Sequence, residues 1–209
     1  DLGIECSWTL SGEDFIEATV NALEGGLFRR TRPAFDLAVL NPPYKKFRTE
    51  SQPRALLRRL GIETSNLYTA FLALAVECLV PGGEIVAITP RSFCNGPYFR
   101  PFRQHLLERV SLTRLHTFES RDHVFRDDEV LQETIIFRAV RAESQQPAVL
   151  LSESRTPEEP PTRAAEIAFE QVVRPGDRER FIRVLIDESD HALAAAMRSL
   201  PSSLDDLGV

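Results

Sequence analysis

Five of the six residues Phe35-Asp36-Leu37-Ala38-Val39-Leu40 are apolar, and the run stops at Asn41-Pro42-Pro43. A run this short and apolar, closed by two residues that cannot donate to a ladder, is expected to be a strand buried on both faces of a parallel sheet. Residues 48–64 are polar and basic without a sustained period, which reads as a surface loop with one helical turn near residues 54–59. Helical periodicity then returns. With Ser65 as N-cap, Leu67, Phe71, Leu74, Cys78 and Leu79 share one face of an amphipathic helix, ended by Pro81-Gly82-Gly83. Glu84-Ile85-Val86-Ala87-Ile88-Thr89, closed by Pro90, is a β-branched strand, so helix, turn and strand make half of a βαβ crossover.

Further along, a helix is expected over residues 98–110, with Phe102, Leu106 and Val110 facing inward. Residues 112–118 alternate weakly, as an outer strand would, with Leu112, Arg114, His116 and Phe118 on one side and Thr113, Leu115 and Thr117 on the other. A charged loop, residues 119–129, precedes another strand over residues 133–140. The stretch 144–161 is rich in Pro, Ser, Gln and Glu, with one short apolar run at residues 148–151. A boundary is expected there: residues 1–142 as the core, and 143–209 as a linker and the start of a C-terminal region. Within the latter, residues 181–186 read as a strand and 190–200 as a short Ala-rich helix. No internal repeat is visible.

With 209 residues, 43% hydrophobic and 27% charged, the chain is long enough for one domain with its own core. No apolar run approaches the roughly 20 residues that span a bilayer, so no membrane partner is expected. The first residues, Asp1-Leu2-Gly3-Ile4-Glu5, have neither the basic nor the apolar part of a leader and read as the middle of a longer chain. Cys6, Cys78 and Cys94 lie far apart without metal-ligand spacing, which points to reduced thiols in a cytoplasmic protein and to no metal site. His105, His116, His123 and His191 have no Ser or Cys partner at a catalytic spacing and are assigned to surface or packing.

The net charge of −6 is unevenly spread. Residues 1–28 hold six acids and no base, and residues 143–209 hold thirteen acids and seven bases, leaving residues 29–142 with 18 bases against 12 acids. From Lys45 to Arg59 there are six bases and one acid, a segment that suits a phosphate backbone or, equally, a solvated loop.

The tetrapeptide Asn41-Pro42-Pro43-Tyr44 carries chemistry. An exocyclic amino group on a nucleobase is a poor nucleophile, because its lone pair is delocalised into the ring. Acceptors on its two N–H bonds localise that pair; an Asn oxygen supplies one and the carbonyl of the following proline the other. Two consecutive prolines restrict the turn before any substrate arrives. A tyrosine ring at the mouth compensates part of the stacking that an extruded base loses, on the order of 1–3 kcal/mol. An ordinary Pro-Pro turn with a surface tyrosine is the alternative, but a given tetrapeptide arises by chance only about once in 10⁵ positions. Its place also fits, since ligands of open α/β sheets bind beyond the carboxyl ends of the strands.

Asn41-Pro42-Pro43-Tyr44 after an apolar strand, then Asn66-Leu67-Tyr68-Thr69-Ala70-Phe71, Pro81-Gly82-Gly83 and the strand ending in Pro90 resemble the gamma-class N6-adenine DNA methyltransferases of type II restriction-modification systems. Arg91-Ser92-Phe93-Cys94-Asn95-Gly96-Pro97-Tyr98-Phe99 and Val124-Phe125-Arg126-Asp127-Asp128 extend the resemblance, which covers about residues 10–140. It implies an α/β fold: a partial Rossmann-like methyltransferase sheet, from the third strand onward, with helices on both faces. It implies a site-specific adenine methyltransferase (EC 2.1.1.72) of the cytoplasm, acting on double-stranded DNA, with a cognate restriction endonuclease as functional partner. Asn41 and Pro42 would accept from the adenine amino group, Pro43 would stiffen the turn, and Tyr44 would stack on the base. Phe125 would be a second aromatic against that base, and Lys45 and Lys46 would contact the DNA. Asp14, Phe15, Phe71 and Asn41 would face the donor, S-adenosylmethionine. Helix capping explains Asp14 equally well, and Phe71 also suits the inward face of its helix.

Donor binding in this fold needs a glycine turn after the first strand and an acidic residue ending the second. Gly25-Gly26 and Gly82-Gly83 both follow helices, and the residues before Asp14 are too few for two strands and a helix. The main donor loop is therefore expected outside this sequence, residues 4–10 are expected to lack a strand neighbour, and the acidic tail is expected to lead toward a target-recognition domain. The fragment alone should methylate poorly or not at all. Other readings of the same tetrapeptide are a protein-glutamine or ribosomal-RNA amino methyltransferase, a non-catalytic DNA-interacting remnant, and part of a fused restriction-methylation polypeptide.

Overall fold

A computed structural model describes residues 7–25, 33–48, 50–119 and 133–199. Cys6, His123 and the segment from Val124 to Asp128, with Phe125, lie outside the described residues. The elements in order are α1 (Phe15–Glu24), β1 (Phe35–Leu40), α2 (Gln52–Arg59), α3 (Leu67–Glu77), β2 (Leu79–Pro90), two 3₁₀ turns (Arg91–Cys94 and Pro97–Phe99), α4 (Arg100–Leu107), β3 (Val110–Phe118), β4 (Thr134–Arg141), β5 (Ala148–Ser154), β6 (Arg163–Ala168), α5 (Phe169–Val172) and α6 (Glu188–Arg198). Six strands form one mixed sheet in the order β1-β2-β4-β3-β5-β6. β1 with β2 and β3 with β5 are parallel pairs; the others are antiparallel.

The crossovers from β1 through α3 to β2, and from β2 through α4 to β3, run the same way across the sheet. Right-handed connections therefore place both helices on one face. Beneath them Ile85, Ala87, Leu112, Leu115, Ile135 and Phe137 are at most 1% exposed. On the opposite face Val86, Ile88, Ile136 and His116 are only half buried, and Arg114 and Arg138 are exposed. The α/β sheet is thus as expected, while over β2, β4 and β3 the described helices cover one face.

β1 differs from the strand expected to be buried on both sides. Its one partner among the described strands is β2, and Phe35, Leu37 and Val39 are 53%, 56% and 73% exposed. They continue the uncovered face, in register with Val86. Before α1, Ser7 to Leu10 form no strand, and Trp8 and Leu10 are 83% and 85% exposed; residues 4–6 of the expected unpaired segment lie outside the described residues.

Other boundaries shift for local reasons. The basic loop holds two full turns of helix, α2, with Pro53 in its first turn. Asn66, not Ser65, is the N-cap of α3, and the helix is buried on nearly every side because α1, α4 and β2 all pack against it. It ends at Glu77, and Pro81-Gly82-Gly83 lies inside β2, where the register with β1 jumps. Gly82 has φ +81°, and a Cβ on Gly83 would sit 2.9 Å from the Phe35 carbonyl oxygen, so the pair makes a bulge that only glycines fit. Val110 opens β3 rather than closing a helix. β3 is an interior strand between β4 and β5, and a bulge at Thr113 puts Leu112 on the same buried face as Leu115 and Thr117, which strict alternation had separated.

The boundary expected near residue 142 falls within the sheet, since β5 and β6 pair onto β3 beyond it. The apolar run at residues 148–151 is enough to seed β5, whose Val149 and Leu151 are fully buried. Residues 181–186 form no strand; they run as a strap, with the Ile182 amide on the Cys94 carbonyl at 2.9 Å and the Arg183 amide on the Val172 carbonyl at 2.8 Å.

His105 is 8% exposed beside Glu77, Arg109 and Arg141. Burial first, then Arg109, pushes its pKa down to about 4 from 6.5, with Glu77 opposing. The unfolded chain therefore binds more protons between these two values, so the contribution is present above pH 6.5 and is lost as pH falls through about 4. Urea midpoints measured across that window should drop more steeply for the native protein than for His105→Gln; parallel curves would refute this.

Candidate nucleic-acid methylation site

β1 and β2 are parallel, so Asn41 and Arg91 leave the sheet at the same edge. Thr134 pairs with Pro90 and the Glu133 carbonyl accepts from the Arg91 amide at 2.7 Å, which brings the described end of the segment before β4 to that edge as well. Such an edge, at the carboxyl ends of parallel strands, is where open α/β sheets bind ligands.

At this edge Asn41 and Pro43 are exposed, Pro42 is buried and Tyr44 is half buried. The Tyr44 hydroxyl lies 3.3 Å from the Ile88 carbonyl oxygen and 3.4 Å from Asn41 Oδ1, and its one proton is shared between these acceptors. Burial raises the Tyr44 pKa, so the group stays a phenol and a donor. The Pro43 carbonyl accepts from the Lys45 amide at 3.2 Å. Beyond Tyr44 the chain is clamped to the start of α3: the Leu67 amide donates to the Lys45 carbonyl at 2.8 Å, the Phe47 amide to the Ser65 carbonyl at 2.9 Å, and Lys46 and Asn66 form an isolated antiparallel bridge. The tetrapeptide therefore stands on three supports, a strand, two prolines and a helix N-terminus.

The other candidates divide. Phe15 and Phe71 meet with ring centroids 4.7 Å apart and planes inclined by 31°. Beside Phe15 a groove of about 650 Å³ runs between α1 and β1, lined by Ala18, Leu37, Val39 and Leu40 among others, and reaches the residue before Asn41. Asp14 is the N-cap of α1 and accepts from the Glu17 amide at 2.9 Å. Its carboxylate thus has a structural task and does not line that groove. Phe125 lies outside the described residues. Lys45 and Lys46 are exposed beside the tetrapeptide.

The basic stretch is smaller than its composition suggests. Arg54 and Arg58 hold Glu63 at 2.7 and 3.0 Å, and Arg59 pairs with Glu24. The hydrogen bonds from Arg58 and Arg54 lower the Glu63 pKa. Lys45, Lys46 and Arg48, the basic residues that follow Tyr44 in the chain, have no ion-pair partner among the described residues, so they remain available to phosphate.

Sequence reasoning assigned no task to Tyr68 or Ser92, which lie directly behind Tyr44. Tyr68 is 2% exposed, packs against Tyr44 and Phe99, and places its hydroxyl 3.2 Å from Ser92 Oγ. A tyrosine on the inner side of an otherwise apolar helix was the available signal, because a buried phenol needs a partner. The Ile88 carbonyl, being backbone, left no signal at all.

The groove and the aromatic pair suit the planar, apolar part of a nucleoside donor. Among the described residues no glycine directly follows the last residue of a strand at this edge.

The Eco57I restriction-modification methylase family model matches residues 8–125. The type II methyltransferase M.PstI of Providencia stuartii is 43% identical over 196 residues, which are 94% of this chain and 38% of that protein. The type II methyltransferase M.BsuBI of Bacillus subtilis is 48% identical over 183 residues, 87% of this chain and 36% of that protein. The chain thus spans under two fifths of either relative. Among solved structures, a modification subunit of a putative type I restriction enzyme from Vibrio vulnificus YJ016 superposes with TM-score 0.54 at 12% identity, over 77% of this chain and 39% of that one.

Proposed function

Since the chain belongs to the Eco57I restriction-modification methylase family, we propose that it is the amino-activating part of a methyltransferase that transfers a methyl group from S-adenosylmethionine to N6 of an adenine turned out of duplex DNA. The observation carrying this is the exposed Asn41 amide at the carboxyl end of β1, followed by two prolines and a half-buried tyrosine ring. The donor supplies an electrophilic sulfonium methyl. Asn41 Oδ1 accepts a hydrogen bond from one amino N–H and the Pro42 carbonyl from the other, which localises the nitrogen lone pair toward that methyl; as the N–C bond forms the S–C bond breaks, and the nitrogen gives up one of its protons to solvent. Tyr44 stacks on the adenine and keeps the Ile88 carbonyl as the acceptor for its own hydroxyl, releasing Asn41 to the base. Lys45, Lys46 and Arg48 neutralise phosphates beside the extruded nucleotide.

Phe15 and Phe71 border the donor's adenine, and Phe125 is the second aromatic residue assigned to the target base. The rest of the donor site and the reading of the recognition sequence lie in parts of the longer relatives that this chain does not match. The product protects DNA from a cognate endonuclease, its functional partner.

These assignments predict that the 209-residue chain alone, incubated with duplex DNA and radiolabelled donor, incorporates no label above background. Clear turnover would show that the chain carries a complete donor site. Target chemistry is tested in the intact methyltransferase by replacing the target adenine with purine, which lacks the amino group. Loss of methyl transfer is expected, and continued transfer would overturn the N6 reading.

A further inference from the structure

Tyr68 belongs to α3, yet what it touches lies outside that helix. Its ring is buried and packs against two aromatic rings, Tyr44 at 6.2 Å and 79°, edge to face, and Phe99 at 5.7 Å. Its hydroxyl is 3.2 Å from Ser92 Oγ, in the first turn after β2. The Asn66 side chain acts on the same hydroxyl and, with Ser92, partly offsets the rise in pKa that burial causes. Asn66 in turn bridges Lys46, two residues beyond Tyr44. One buried phenol thus joins the segments that follow β1 and β2, the two walls of the candidate site.

A phenyl ring would fill the same space. What the hydroxyl adds is a fixed tilt, because a ring held at its far end cannot rock. An edge-to-face contact depends on tilt, since the positive edge of one ring must meet the face of the other. The Tyr44 hydroxyl lies 3.3 and 3.4 Å from its acceptors Ile88 and Asn41, and the second contact is given up if Asn41 turns to a base. Tyr68 then braces the Tyr44 ring from behind.

We propose that Tyr68, anchored by Ser92, is a positioning residue that fixes the plane of Tyr44 on which the extruded base stacks. This rests on the reading of Asn41 and Tyr44 as the base-receiving pair. Tyr68 touches neither base nor donor in it.

The test uses the intact methyltransferase with Tyr68→Phe, Ser92→Ala and the double variant, each keeping the buried ring. Each single change should lower kcat by about three- to tenfold, the worth of one hydrogen bond. KM for DNA and the donor dissociation constant should stay within about twofold. Because both substitutions break the same bond, the double variant should be no slower than the slower single one. With 2-aminopurine at the target position, the variants should emit more strongly than the native enzyme, because stacking on a well-placed tyrosine quenches it. Native kcat and native emission in Tyr68→Phe would overturn the proposal, as would multiplicative effects in the double variant. Asn41→Ala run in parallel separates the failures: if it stays active, the reading of the site falls. If it is inactive while Tyr68→Phe is native in both readouts, only the positioning falls.

Discussion

Asn41→Ala in the intact methyltransferase is expected to slow methyl transfer by about 10²–10³-fold, comparable to removing one preorganised polar group from an oxyanion site. DNA binding and thermal unfolding should barely change. Asn41 is exposed, and its side-chain contact in the fold is the long one to Tyr44, which keeps Ile88 as an alternative acceptor. The loss would therefore fall on kcat, because the acceptor matters most as the amino nitrogen becomes nucleophilic. Asn41→Asp retains an oxygen at the same place and should keep more activity than alanine. Single-turnover rates with saturating donor measure both. An undiminished rate in Asn41→Ala would remove the basis of the proposed chemistry.

Arg103→Met is expected to cost the fold about 3–5 kcal/mol, since each carbonyl left without its donor costs on the order of 1–3 kcal/mol. Arg103 is fully buried, and its guanidinium donates to the Phe93, Gly96 and Glu179 carbonyls at 3.0, 2.7 and 2.8 Å. It also lies 4.9 Å over the Phe181 ring and 3.6 Å from the Glu179 carboxylate. Methionine replaces the stem but leaves three carbonyls short of a donor, each a costly loss when buried. The same arginine holds the turn at Gly96, where a Cβ would sit 2.7 Å from the Ser92 carbonyl oxygen, so the variant also loosens the support of Phe99 and Tyr68. Urea unfolding at constant m-value reads the change. A shift of under about 1 kcal/mol would show that Arg103's hold on Glu179, just before the strap of residues 181–186, is dispensable.

Several elements were legible because their cause is local. Phe35–Leu40, Thr134–Arg141 and the helix after Asn66 follow from short-range hydrophobic pattern and from prolines and glycines at their ends. Others were not, because their cause lies in a partner strand or helix. Thr113 looks like any residue of an alternating strand, and only pairing with Arg138 and Ala139 shows that it bulges. Ala148–Ser154 sits in a polar, Pro-rich neighbourhood and became a strand because the edge of β3 was open to it.

By itself the sequence determined the chemistry to look for: an amide and two prolines at the end of an apolar strand, a tyrosine after them, and cations beyond. Those are properties of adjacent residues and need no fold to be recognised. Tertiary structure decided which of these groups stand free. It bound Arg54, Arg58 and Arg59 to Glu63 and Glu24, stacked Phe15 on Phe71, and set Tyr68 and Ser92 behind Tyr44. These pairings join residues up to 56 positions apart in sequence and exist only once strands and helices have packed, so no local pattern encodes them.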